Sequence, residues 1–224
     1  MPLSRFLRVL LLATLLGCNT PSEKSLPDPP QGRRSEVVQA KNTPASSPPS
    51  PVPSPLRAPR PPVCSSSPAA AGRSLPGGIL PHLAASGAPP LPGRIPTGNG
   101  QWTWVNLWAA WCKPCKEEIP LLRAWETQLA SSPTPFRLAF LSLDDDERQA
   151  RKFLEEQPTT GLRASWWLQE GKGRIAWLEA LQLPEEPRLP VHLLFDPQGA
   201  LRCIIDGAVE PTDFAAIQAR LARR

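Results

Sequence analysis

VNLWAAWCKPCKEEIP, residues 105–120, carries two cysteines two residues apart directly behind a tryptophan. The run leading into it, GQWTWVNLWAAW at 100–111, is rich in tryptophan and valine and is β-prone. Beyond Cys115, the residues Ile119, Leu122, Trp125 and Leu129 recur at helical spacing. Cys112 and Cys115 therefore stand where a strand hands over to a helix. Pro114 between them fixes φ and shapes the turn.

Three chemistries suit such a pair. A structural zinc site takes four Cys or His ligands, usually from two such pairs. This chain has one CxxC, and His82, His192, Cys64 and Cys203 stand singly without ligand spacing, so no metal is expected. Two inert thiols are a poor fit if the chain meets the oxidising conditions outside the cytoplasm. A redox pair fits best, because a helix start offers free N–H groups and the positive end of the dipole, which stabilise a thiolate. Cys112 lies nearest that end and reads as the nucleophile, with Cys115, one turn inside, as the resolving thiol. Lys113 and Lys116 read as solvated surface charges.

Further along, FRLAFLSL reads as a buried strand and DDDERQARKFLEEQ as a helix with acids in its first turn. ASWWLQ reads as a short strand and GRIAWLEAL as a helix. VHLLFD, the turn PQG and ALRCIID form a hairpin pattern, and a last helix starts near Pro211 with apolar Phe214, Ile217 and Leu221. The order β-α-β-α-β-α-β-β-α predicts an α/β domain with a central mixed β-sheet flanked by helices on both faces. ILPHLAASG, at 79–87, reads as a short edge strand or a loop.

VNLWAAWCKPCKEEIP resembles the active-site segment of the TlpA/ResA-like thiol-disulfide oxidoreductases, membrane-anchored members of the thioredoxin superfamily, whose pattern runs N-F-W-A-x-W-C-x-P-C-x-x-E-x-P. The resemblance implies a thioredoxin-like fold over residues 75–224 and a catalytic Cys112, Cys115 and Glu118, with Cys112 and Cys115 joined as the redox disulfide. In that family the glutamate tunes the thiols and passes protons. Pro120 matches the helix-kinking proline of the superfamily. Asn106 stands where thioredoxin itself has a buried aspartate, which leaves Glu118 as the proton acceptor. RLPVHLLFDPQG, at 188–199, resembles the family's cis-proline strand, so Leu189-Pro190 is expected as a cis bond facing the cysteines. Trp111, Pro114, Leu189 and Pro190 are the residues the resemblance assigns to positioning a substrate. The chain departs from the pattern at Leu107, where the family usually has phenylalanine, and in its Pro/Gly-rich entry before Gly100.

Other clusters read more plainly. Asp144, Asp145 and Asp146 precede a helical pattern and read as N-cap and first-turn acids. His82 and His192 are single and read as structural. GKG at 171–173 lacks the spacing of a phosphate loop. Cys203 reads as a buried free thiol, with a disulfide to Cys64 as the lesser alternative.

The chain opens MPLSRFLRVLLLATLLGC. Arg5 and Arg8 form a short positive region, and Val9 to Leu16 is an apolar run well short of the ~20 residues that span a bilayer. Residues 1–17 therefore read as a signal peptide. Leu15-Leu16-Gly17-Cys18 resembles the lipobox of bacterial lipoproteins, which implies lipidation of Cys18 and anchoring in the bacterial cell envelope, with the domain facing the periplasm or extracytoplasmic space. Leu16 is bulkier than the small residue usual at that position, and an ordinary signal peptide is the alternative. Residues 19–74 hold 14 prolines in 56 positions, so 18–74 reads as the lipidated cysteine and a disordered Pro/Ser-rich linker. Fully extended as polyproline II, it would reach on the order of 170 Å.

Aromatic residues and charge divide the same way. No Phe, Trp or Tyr occurs from Leu7 to Gln101, whereas all eight tryptophans lie between Trp102 and Trp177. Residues 1–18 carry +2, residues 19–74 carry 7 − 3 = +4, and residues 75–224 carry 16 − 17 = −1, which together give the +5 of the chain. A near-neutral domain without a basic stripe excludes nucleic acid as a partner class. Expected partners are protein disulfide substrates, a membrane thiol electron donor and the membrane itself; the domain is expected as a monomer without cofactor. A lipoprotein binding module with a merely stabilising CxxC, or a copper chaperone, remain as alternative functions.

Overall fold

The computed structural model describes Cys64 and residues 70–130 and 135–222. The signal peptide, Cys18 and most of the linker expected from the sequence lie outside the described residues.

Six strands form one mixed sheet: β1 (His82–Ala84), β2 (Trp102–Trp108), β3 (Phe136–Ser142), β4 (Ala164–Trp167), β5 (Val191–Phe195) and β6 (Leu201–Asp206). Their order across the sheet is β1-β4-β3-β2-β5-β6. β2, β3 and β4 run parallel, whereas β5, β6 and β1 run antiparallel to their neighbours. The helices are α1 (Lys113–Ala130), α2 (Glu147–Glu156), α3 (Lys172–Ala180) and α4 (Phe214–Leu221), the last preceded by a 3-10 turn at Pro211–Asp213. The weakly patterned ILPHLAASG supplies the edge strand β1.

β2 is buried along its whole length, as a central strand covered on both faces should be. Its alternation sorts it into two cores. Trp102, Trp104 and Trp108 join Ile119, Leu122, Trp125 and Leu129 of α1, Ala150 and Leu154 of α2, and Ile217 and Leu221 of α4. Val105 and Leu107 face the other way, with Ala139 and Leu141 of β3 and Trp177 and Leu178 of α3. Burying an indole the size of Trp104 contributes about 4–6 kcal/mol at ~25 cal/mol per Å². On this wall the Trp108 indole N–H donates to Ser165 Oγ at 2.9 Å, and that hydroxyl donates to the Phe140 carbonyl at 2.9 Å.

The β5–β6 hairpin turns at Gly199, whose φ is +85° and whose missing Cβ would come within 3.2 Å of Gly98 Cα. Only glycine suits both demands. Ahead of residue 75, Ser74 bridges Ala200, Ala70 is buried in the second core, and Cys64 is bonded to Cys203 of β6. This corrects the reading of Cys203 as a free thiol. Cys64 was illegible because its partner lies 139 residues away and no local pattern marks it.

Candidate active site

The C-terminal end of β2 delivers the chain to the cysteines through Ala109-Ala110-Trp111. Both carboxylate oxygens of Asp144 accept from the Ala110 N–H, at 2.9 and 3.0 Å, and Ser142 Oγ donates to Asp144 at 2.8 Å. Asp144 is fully buried and braces the loop that presents Cys112. Only Asp146 of the acidic triplet caps α2, accepting from the Arg148 N–H, and Asp145 pairs with Arg174 at 2.7 Å. The three aspartates thus do three different things, where their spacing suggested a single run of cap and first-turn acids.

Cys112 and Cys115 form a disulfide with Cα atoms 5.3 Å apart. Cys112 immediately precedes α1; its carbonyl accepts the first helical bond from the Lys116 N–H at 3.2 Å, and its Sγ accepts from the Cys115 N–H at 3.2 Å. Sulfur therefore occupies the place of an N-cap oxygen. When the bond opens, a thiolate on Cys112 meets that N–H and the helix dipole. Cys112 is 4% exposed and Cys115 0%, while the neighbouring Trp111 is 60% exposed. Trp111 and Leu189 line one groove of about 470 Å³ together with Leu143, Arg174 and Ile175.

Glu118 lies one turn beyond Cys115 on the buried side of α1. Its Oε1 accepts from Asn106 Nδ2 at 2.9 Å and its Oε2 from the Val209 N–H at 2.9 Å. A carboxylate buried in a helix interior is unusual unless it is held this way. Pro120 falls inside α1, as the sequence placed it. The Leu189-Pro190 bond is cis, and the Pro190 carbonyl accepts from the Gly207 N–H at 2.9 Å.

A parallel β2-β3-β4 core, an antiparallel β5-β6 hairpin, a CxxC opening the helix after β2 and a cis-proline just ahead of β5 now stand together. The fold is thioredoxin-like. Sequence reading brought Cys112, Cys115, Glu118, Trp111, Pro114, Leu189 and Pro190 to this end of the sheet. It missed His192, set aside as unpaired: its Nε2 lies 3.4 Å from Glu118 Oε2 inside the protein. The signal that could have found it is its position, two residues beyond the cis-proline on the strand that flanks β2.

No family model matches the chain. Among curated proteins, the thioredoxin-like protein YneN of Bacillus subtilis (strain 168) is 31% identical over 62 residues, 28% of this chain and 36% of that protein. The chain thus spans about a third of the length of this relative. Among solved structures, a thiol:disulfide interchange protein of the thioredoxin family from Chlorobium tepidum TLS is 21% identical, with 56% of this chain and 83% of the other covered and a TM-score of 0.45. A thioredoxin-related protein from Neisseria meningitidis serogroup B is 19% identical, with 64% and 100% covered and a TM-score of 0.47.

Proposed function

We propose that the chain is a thiol-disulfide oxidoreductase that reduces protein disulfides outside the cytoplasm, held to the bacterial envelope by a lipid on Cys18. The observation that carries this reading is the Cys112–Cys115 bond closed at the start of α1, with the first sulfur accepting a helix N–H. A stabilising disulfide needs no such setting; an exchanging one gains from it, because a stabilised thiolate is the better leaving group.

In the reduced protein the Cys112 thiolate attacks one sulfur of a substrate disulfide; the other leaves as a thiolate and takes a proton from water. Cys115 then gives its proton to Glu118 and attacks Cys112 Sγ. The bond between Cys112 and the substrate breaks, and the second substrate sulfur leaves as a thiolate, also protonated by water. Two electrons have passed from the pair to the substrate, and a thiol donor in the membrane restores the dithiol. The edge of backbone beside Pro190, with Trp111 and Leu189, supplies the surface along which a polypeptide lies. The resemblance to the TlpA/ResA-like oxidoreductases points to cytochrome c precursors or the cysteines of metal sites as substrates.

Turnover of a protein disulfide such as that of insulin tests the reading. Cys112→Ser and Cys115→Ser should each lose roughly 10³-fold or more, since members of a unit fail together. Cys115→Ser should also accumulate mixed disulfides on Cys112. A reductase should show a potential below about −200 mV, and a value near about −120 mV would reverse the direction of transfer. A pair inert to mild dithiol would leave the domain a binding module.

A further inference from the structure

His192 is buried on every side at 0% exposure and lies across the β2–β5 pairing from Asn106. Its Nδ1 accepts from the Trp104 indole N–H at 3.0 Å, and the Asn106 amide nitrogen lies 3.2 Å from the same atom. An indole N–H can only donate, so Nδ1 presents its lone pair and the ring proton resides on Nε2. The Asn106 orientation agrees: one N–H reaches Glu118 Oε1 and the other turns to Nδ1. A flipped amide would set Oδ1 against the carboxylate. Nε2 has no partner at ordinary hydrogen-bond length and lies 3.4 Å from Glu118 Oε2.

We infer that His192 is a positioning residue for Glu118: fixed by Trp104 as the Nε2–H tautomer, it offers a third N–H to the carboxylate that takes the Cys115 proton. This rests on the exchange reading above. Asn106 and Val209 hold one oxygen each, and His192 bears on the second from the strand carrying the cis-proline. A buried N–H without a full partner is expensive to keep, and this one lies 3.4 Å from the one group whose protonation changes during exchange. It favours the ionised carboxylate, the form able to take a proton, and lets go as that proton neutralises it.

Of the titratable groups, Cys115 lies three residues before this carboxylate on the buried side of α1, and the His192 ring meets it from β5. β2 brings the neutral Asn106 and Trp104, and the segment after β6 brings the Val209 amide. The acids that follow, Glu210 and Asp213, cap each other across the 3-10 turn.

The step to measure is resolution of a thionitrobenzoate mixed disulfide on Cys112, followed by release of the coloured thiol against pH in the full chain. His192→Leu should slow release roughly tenfold at neutral pH, the scale of one hydrogen bond to a charged group, and approach the unmodified rate in alkali. His192→Gln, which returns an N–H to the place of Nε2, should recover to within about threefold. Unaltered rates and pH profiles in His192→Leu overturn the inference. Nitrogen NMR of the unmodified protein decides it independently of whether the variants fold: Nε2–H is expected in both redox states, and an Nδ1–H ring overturns it. Failure of the parent reading looks different. If the unmodified protein does not resolve the mixed disulfide, exchange itself fails. If Glu118→Gln resolves normally while Cys115→Ser does not, exchange stands and this inference falls.

Discussion

The two disulfides of this domain are built from similar materials and placed in opposite settings. Burial does not separate them: Cys112, Cys115 and Cys203 are all nearly inaccessible, and Cys64 is half-buried. Span and setting do. The Cys112–Cys115 bond joins residues 3 apart and Cys64–Cys203 joins residues 139 apart. In the chain-entropy account the short loop removes about 2 kcal/mol of freedom from the unfolded chain and the long one about 5 kcal/mol. A bond that contributes little to stability can open and close in service without unfolding its host. Helix N–H groups and the dipole meet Cys112, whereas Cys203 lies mid-strand on β6. On the proposed function, the domain keeps its working bond short and polarised, and its fastening bond long and plain.

The contrast breaks first, and by the largest margin, if the long bond is dispensable. Replacing Cys64 and Cys203 together by serine should lower stability by about 2–5 kcal/mol in urea unfolding while leaving disulfide exchange at Cys112 intact. A double variant as stable as the parent would mean that packing at Ser74 and Ala70 already does the fastening.

A smaller effect is expected at the other bond. Opening Cys112–Cys115 with a mild dithiol should change stability by about 2 kcal/mol or less, read from urea midpoints of the oxidised and reduced forms. A much larger loss would make the CxxC a fastening too.

The smallest effect lies in the brace beneath the working bond. Burial raises the Asp144 carboxyl above its ordinary range, against the Ser142 and Ala110 hydrogen bonds that lower it. A raised carboxyl contributes stability that is full below the unfolded value and is lost as pH rises through the folded one. Relative to Asp144→Asn, the unmodified protein should therefore lose stability as pH rises from the ordinary carboxyl value of 3.8 through the raised folded one. A gain over that interval would show that the hydrogen bonds outweigh desolvation.

What could be read from sequence was local. The Trp/Val run, the spacing of Ile119, Leu122, Trp125 and Leu129, and the hairpin around Pro197-Gln198-Gly199 are patterns within a few residues, and each matches its element. Residues in the site that follow a motif, such as Glu118 and Pro190, were legible by resemblance. What escaped depends on register between distant strands. His192 looked solitary because Asn106 and Glu118 stand 86 and 74 positions earlier and meet it only when β5 pairs with β2. Asp144 looked like its neighbours because nothing in DDD tells which side chain turns back under Ala110. Cys64 sat in composition that argues against order, and only its covalent partner on β6 places it.

The Cys64–Cys203 bond also has a mechanical meaning. It closes residues 64–203 into one covalent ring that contains Cys112, Glu118 and His192. If the chain ahead of residue 64 is a tether, a pull between its anchor and a substrate caught on Cys112 divides over two routes. One follows the backbone from 64 to 112, and the other crosses the sulfurs and returns from 203. Tension that would peel a strand from an unclosed domain is shared by covalent bonds, so the sheet under the working cysteines bears less of the load.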